Sequence, residues 1–184
     1  MNAELQGYLT EIEKVKADAR ALVAGLSEEQ ANRRPAPDKW CIAECLAHLN
    51  VADAKTLPAF DRAIRAGRTK GRTAAGPFRY GSFSRWMIAS MEPPPKRRMR
   101  TFKIFVPPPP GAQPLATLLP EFLKVRDELA ERVRQADGLD LGSNRVVSPV
   151  TPLLRMPLGA YFAFVMAHER RHLWQAWRVR EGLH

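Results

Sequence analysis

The chain has 184 residues, of which 45% are apolar, and this size and composition fit a single folded domain with a buried core. They argue against a collagen-like chain, a coiled-coil rod and a wholly disordered chain. The formal net charge is +10, from 29 Lys and Arg against 19 Asp and Glu, so nucleic acid or another anionic surface has to be considered as a partner.

The first predicted helix runs from Leu5 to Leu26, where apolar residues recur at helical spacing and line one face. Residues 27–37 follow as a corner, in which Ser27 and Gln30 have the spacing of a capping box and two prolines end the short turn.

The second predicted helix begins at Asp38 or Cys41 and carries core-facing apolar residues as far as Ile64. Pro58 lies inside this pattern. Because proline removes a backbone donor and clashes with the preceding turn, we expect a kink or a break near Thr56.

Residues 67–110 form an excursion rich in Gly, Pro and basic residues. We expect a mobile loop at 67–81, a short helix at 83–91 that packs over the core, and stiff, extended proline runs within 93–110.

The basic charge is concentrated around this excursion. Twelve of the 29 basic residues lie between Arg62 and Lys103, with Glu92 as the one acid, so this segment holds the whole excess. Blocks of like charge are usually solvated, and we favour an exposed run over a phosphate-binding patch. The interleaved aromatic residues fit either stacking on single-stranded nucleic acid or packing over the bundle; they are Phe78, Tyr80, Phe83, Trp86, Phe102 and Phe105.

Two further helices are predicted at 114–135, which Gly138 closes, and at 158–179, with a crossing segment at 139–156 between them. No stretch shows the alternation expected of a strand. The sequence therefore predicts an all-α fold: a four-helix bundle with long crossover connections, formed by one domain over residues 1–184.

The chain begins without a signal-peptide pattern, and no stretch approaches the roughly 20 apolar residues that a membrane span needs. Cys41 and Cys45 are too few and too close for a disulfide framework. We expect a cytoplasmic protein that does not contact a membrane.

Three histidines lie on predicted core-facing stripes. His168 and His172 are four residues apart on the last helix, so both rings leave the same face one turn apart, as suits two ligands of one metal ion. His48 lies on the stripe of the second helix. A core histidine is either a hydrogen-bonded structural residue or a ligand, and these two interpretations stay open. Three histidines would leave one position of a tetrahedral ion for water or substrate, which is typical of catalytic sites.

Cys41, Cys45 and Glu44 share the second helix with His48. We favour core packing for both cysteines, because one ion cannot bind Cys41, Cys45 and His48 along two helical turns. Cys45 alone lies within reach as a fourth ligand. Glu44 is either a capping partner, which we favour slightly, or a carboxylate that orients the His48 ring.

Two segments resemble signatures of the DinB/YfiT-like superfamily. Asp38-Lys-Trp-Cys-Ile-Ala-Glu-Cys-Leu-Ala-His48-Leu resembles Trp-Ser-x-x-Glu-x-x-x-His-Leu, and His168-Glu-Arg-Arg-His172-Leu-Trp-Gln175 resembles His-x-x-Arg-His-x-x-Gln. Cys41 replaces the usual Ser, and since sulfur is a poor acceptor we expect Asp38 to cap the helix and start it earlier.

The resemblance implies a four-helix bundle with His48, His168 and His172 as ligands of a divalent metal, most simply Zn²⁺ or Ni²⁺, and it implies a homodimer. Glu44 and Gln175 are the candidate outer partners of these ligands. Characterised relatives include transferases and isomerases that use low-molecular-weight thiols, so a small-molecule substrate and a thiol cofactor are expected.

The function expected first is a metal-dependent S-transferase or isomerase, in which a bound water or thiolate is the nucleophile. One alternative is a metal-dependent hydrolase. The other is a non-catalytic binding module whose basic segment docks on nucleic acid or on an acidic protein, and nucleic acid is not favoured.

Overall fold

A computed structural model describes residues 1–95 and 100–183. Lys96, Arg97 and Arg98 of the basic segment, and the terminal His184, lie outside the described residues. In chain order the elements are α1 (Ala3–Val23), α2 (Glu28–Asn32), α3 (Ile42–Thr69), α4 (Ser82–Met91), a 3₁₀ helix (Lys103–Phe105), α5 (Leu115–Gln135), β1 (Arg145–Val147), β2 (Arg155–Pro157) and α6 (Leu158–Glu181).

The four long helices α1, α3, α5 and α6 form the predicted bundle. α3 packs against α5 and α6, and α1 packs against the same two helices. Each presents an apolar stripe at helical spacing to the centre, which is why the period alone predicts the four elements. None of the described helices is long and apolar enough to cross a membrane.

Of the two starts predicted for α3, the structure has the one at Cys41, and the expectation that Asp38 caps the helix is wrong. Cys41, not Asp38, is the N-cap: its Sγ accepts a hydrogen bond from the Glu44 N–H at 3.4 Å, and the Glu44 carboxylate accepts one from the Cys41 N–H at 3.0 Å. Sulfur is a weak acceptor, but Cys41 is fully buried, so water does not compete for the Glu44 N–H. The capping box predicted at Ser27 and Gln30 is confirmed.

Of the kink or break predicted near Thr56, the break is wrong, because α3 continues through Pro58 to Thr69. Leu57, Ala59 and Phe60 beside it are all buried in the core. Proline costs the helix one backbone bond, whereas packing on both sides of it holds the flanking turns in place.

The crossing segment between α5 and α6 contains a short antiparallel hairpin, so the expectation of no strand is wrong there. Val146 of β1 lies opposite Met156 of β2, and both side chains are buried in the core. Strands of three residues are too short to show an alternating pattern in the sequence. Gly138, which closes α5 as predicted, has φ +79°.

The basic excursion is only partly an exposed loop. The predicted short helix is α4, which packs against α6, while the 3₁₀ helix packs against α3. Phe78 and Tyr80 lie against the core, whereas Phe83, Trp86 and Phe102 are exposed. The Arg and Lys side chains of the described part of the segment are solvent-exposed, as expected.

The core consists of two apolar clusters separated by buried polar residues. One cluster contains Leu5, Phe60 and Phe162, and the other contains Leu22 and Leu118. We call the polar residues between them the polar layer. It consists of the half-buried His168 and of six buried residues, namely Asn50, Asp53, Arg126, Glu169, His48 and His172.

Arg126 is the centre of the polar layer and is fully buried. Its guanidinium donates to Asn50 Oδ1 at 2.6 Å and to Glu169 Oε1 at 2.7 Å, and lies 3.6 Å from Asp53 Oδ2. It also sits 3.5 Å from the centroid of the Phe122 ring. Burial, together with the charge of Glu169, raises the pKa of Asp53 well above its usual value. This raised pKa favours the neutral acid form of Asp53, in which the Arg126 cation faces the Glu169 carboxylate as its single anion.

This balance predicts a large loss of stability for one substitution and a small loss for another. Arg126→Met leaves the Glu169 carboxylate buried without its partner, and we expect the free energy of unfolding to fall by about 3–5 kcal/mol in urea titrations at pH 7. Asp53→Asn replaces a neutral acid by a neutral amide of similar shape, and we expect a loss below about 1 kcal/mol.

The difference in stability between the wild type and Asp53→Asn should also depend on pH. A raised folded pKa means that the wild type loses stability relative to Asp53→Asn as the pH rises above about 4, the value of the unfolded carboxyl. Equal losses for both variants at pH 7, or a difference that does not change with pH, would contradict the assignment of the proton to Asp53.

Candidate metal centre

The three predicted ligands come together in the polar layer. His48 lies on α3, His168 and His172 lie on α6, and one ring nitrogen from each lies within 4.8 Å of the other two. His48 Nε2 and His168 Nε2 are 3.2 Å apart. Two imidazole nitrogens on one tetrahedral ion, each at about 2.0–2.1 Å from it, would be roughly 3.3 Å apart. The spacing of this pair therefore fits a shared divalent ion.

A backbone carbonyl orients the first ring. His48 Nδ1 lies 2.7 Å from the carbonyl oxygen of Phe105, the last residue of the 3₁₀ helix. Since a carbonyl can only accept, Nδ1 carries the proton and donates it, which leaves the Nε2 lone pair free for an ion. The excursion thus supplies the outer partner of His48.

All three imidazoles are held in the neutral form that binds metals. Burial lowers the pKa of His48. Burial and the neighbouring His48 ring lower the pKa of His168 to about 3. Burial and the His168 ring lower that of His172 well below its usual value. Protons therefore do not compete with a cation for these nitrogens at neutral pH.

His172 shows a further sign of an intended partner. Its Nδ1 is buried and has no hydrogen-bond partner among the described residues. Gln175, one turn further along α6, interacts with the ring and partly offsets the lowering of its pKa. A buried nitrogen without a partner carries a cost that a bound ion, or a group that accompanies it, would remove.

Glu44 does not contact the histidines. Its carboxylate accepts hydrogen bonds from the Arg34 guanidinium and from the Cys41 N–H. Burial alone would raise its pKa, but these partners lower the pKa below its usual value. Of the two roles considered for Glu44, the hydrogen bonds support the cap.

Neither cysteine belongs to the histidine group. Both thiols are free and buried, and both side chains belong to an apolar cluster. Burial raises the pKa of Cys41 to about 11 and that of Cys45 well above its usual value. Both are therefore neutral thiols at pH 7, which supports the packing interpretation.

Aromatic rings enclose the histidines, and a cleft opens beside them. The Trp40 ring centroid lies 4.8 Å from that of His48 and 5.7 Å from that of His172, while Phe164 stacks parallel to His168. A cleft of about 1000 Å³, lined in part by Trp40, His172 and Gln175, connects this region to the surface.

The fold and the three-histidine group together are those of a DinB-like helical bundle. Residues 11–176 match the family model of the DinB superfamily, and the chain belongs to that superfamily. No curated protein and no solved structure matches the chain.

Three features of the centre have no clear signal in the sequence or were not among the predicted site residues. They are the carbonyl of Phe105, the ring of Trp40, and Arg126 beneath the histidines. A backbone carbonyl has no sequence signature, and Arg126 reads as one more charged residue of an amphipathic helix. Trp40 could have been found, because it stands in the Trp position of the first signature.

The low pKa of His168 predicts how the metal-free protein responds to acid. A group whose pKa is lower in the folded chain stabilises it above the unfolded value of about 6.5, and this contribution is lost as the pH falls. We compare EDTA-treated wild type with His168→Gln, which has no titrating ring at this position. As the pH falls below 6, we expect the free energy of unfolding of the wild type to decrease by about 1 kcal/mol per pH unit relative to that of the variant. The measurement is urea unfolding from pH 7.5 to 4.5, and a constant difference would show that the ring is not desolvated.

Proposed function

We propose that the protein is a divalent-metal-dependent enzyme with His48, His168 and His172 as ligands and Zn²⁺ or Ni²⁺ as the metal. The observation that carries this proposal is the convergence of three neutral imidazoles, from two helices, beside a cleft. The DinB resemblance of both histidine signatures supports the same ligand set.

The chain's own residues prepare the site. The Phe105 carbonyl holds the His48 ring in one tautomer. His48 and His172 are buried, and Phe164 stacks on the ring of His168. The ion, when bound, supplies a Lewis acid that lowers the pKa of a water or thiol at its remaining position. Trp40 and His172 line the cleft through which that molecule would arrive.

The reaction class rests on the family resemblance. Transfer or isomerisation that uses a low-molecular-weight thiol is our first choice, and hydrolysis is the alternative. A small-molecule substrate is in keeping with the cleft, since ligand pockets are commonly about 300–1000 Å³. The resemblance also implies a homodimer.

A binding role for the basic segment remains the second candidate because of one observation. Phe83 and Trp86 of α4 are 53% and 64% exposed, their ring centroids are 6.2 Å apart, and Arg85 lies beside them. Exposed aromatic rings among cations are compatible with stacking on single-stranded nucleic acid.

The metal content of the protein tests the proposal. Untagged wild type should carry about one divalent ion per chain, or take one up on exposure to zinc or nickel, by elemental analysis after gel filtration. His48→Ala and His172→Ala should each lose most of it, because two imidazoles without an anionic ligand form a weak site.

Cys45→Ala is the matched control. It removes a buried side chain three residues from His48 and should keep the ion with only modest destabilisation. Wild type that takes up no ion, or histidine variants that retain it, would contradict the three-histidine assignment. An empty Cys45→Ala variant would instead make Cys45 a fourth ligand and close the site.

A further inference from the structure

The cleft beside the histidines is positively charged. Among the described residues that line it, three are cationic, namely Lys39, Arg100 and Arg171, and Asp38 is the single acid. Lys39 and Arg100 are exposed at the rim, whereas Arg171 is 9% exposed and lies next to His172. The positive charge therefore extends from the rim to the histidine group.

Arg171 is positioned by its place on α6 and by a hydrogen bond to α4. It lies on α6, and one of its terminal nitrogens donates to the carbonyl oxygen of Ser90 at 3.1 Å. Only 9% of its surface is exposed, so part of its hydration has been given up. A planar guanidinium that is already desolvated and fixed binds a carboxylate or phosphate at little further entropic cost.

Two indole rings line the same cleft. Trp40 packs against the rings of His48 and His172, and Trp174 is 38% exposed. The faces of indole rings favour contact with flat or extended apolar groups. Exposure of a large apolar ring such as that of Trp174 to water is unfavourable unless a ligand or partner covers it. The cleft thus combines fixed positive charge with aromatic walls.

We propose that this cleft binds an anionic small molecule with a flat apolar portion, with Arg171 and Arg100 as its anion-binding residues and Trp40 and Trp174 as its walls. This inference deepens the proposed function, on which it rests, because it names the substrate class of the same centre. A free carboxylate or phosphate group is the chemistry that the arginines select.

A matched pair of probes tests the charge requirement. Naphthalene-2-carboxylate and its neutral amide have the same ring and differ in charge. In zinc-loaded protein, titrated by calorimetry and by NMR of the indole N–H signals, we expect the carboxylate to bind about tenfold more tightly than the amide. The Trp40 and Trp174 signals should shift, and those of Trp86 and Trp177 should not.

Substitutions of the cationic residues identify which of them bind the carboxylate probe. We expect Arg171→Gln to weaken the carboxylate about tenfold, Arg171→Lys to restore part of this loss, and Arg100→Gln to weaken it about threefold. Arg85→Gln, which removes an exposed charge of the same segment outside the cleft, should have no effect. Amide binding should be unchanged throughout. Should Arg171→Gln fail to fold or lose its metal, Arg100→Gln and Lys39→Gln carry the comparison.

The outcomes separate this proposal from the metal-dependent function. Equal affinity for both probes, or equal effects of Arg100→Gln and Arg85→Gln, would overturn it even with normal metal content. Carboxylate binding that disappears on removal of zinc and ignores the arginine variants would place the carboxylate on the metal and also overturn it. Protein that holds no metal yet prefers the carboxylate, and loses this preference in the arginine variants, would support the anion site while the metal proposal fails.

Discussion

Burial of a polar layer across the middle of the bundle is the constraint on which the rest of the structure depends. Apolar clusters lie on either side of it, so each polar group in the layer must find a partner or remain neutral. Arg126 donates to Asn50 Oδ1 on α3 and to Glu169 Oε1 on α6, and the raised pKa of Asp53 favours its neutral form. Hydrogen bonds of this kind have strict geometry, and they tie α3, α5 and α6 to one register.

Placement in the polar layer also sets the protonation state of the three histidines. Imidazoles placed in this layer lose their protons, and a neutral imidazole is the form that binds a cation. The excursion then completes the centre from outside the bundle. Phe105 supplies the carbonyl that orients His48, and Arg100 contributes charge to the cleft. A segment that reads as a solvated basic run is therefore also a part of the centre.

Much of this could be predicted from the sequence. Four apolar stripes at helical spacing are sufficient for the bundle. The spacing of His168 and His172, with His48 on a second core stripe, suggests a shared site, and the resemblance to the two DinB-like signatures implies the ligand set. Rules about single residues fail where packing or burial outweighs the local preference. Pro58 does not break α3, because packing outweighs one lost hydrogen bond, and Cys41 caps α3 because burial protects a weak acceptor.

What could not be predicted depends on three-dimensional context. Arg126 differs from an exposed arginine only in its neighbours, and neither the Phe105 carbonyl nor the short hairpin at Val146 leaves a pattern in the sequence. The charged cleft arises because residues from α6 and from the excursion meet at its walls. Composition places the basic residues in one segment but does not show that two of the cleft's cations lie outside that segment, at Lys39 and Arg171.

X-ray absorption spectroscopy of the zinc-loaded protein tests the central claim most directly. The account predicts a first shell of nitrogen and oxygen only, at about 2.0 Å, with the outer-shell scattering of three imidazoles. A sulfur scatterer at about 2.3 Å would mean that a cysteine of the chain, Cys45 or Cys41, is a further ligand and closes the site. Fewer than three imidazoles would contradict the ligand set itself.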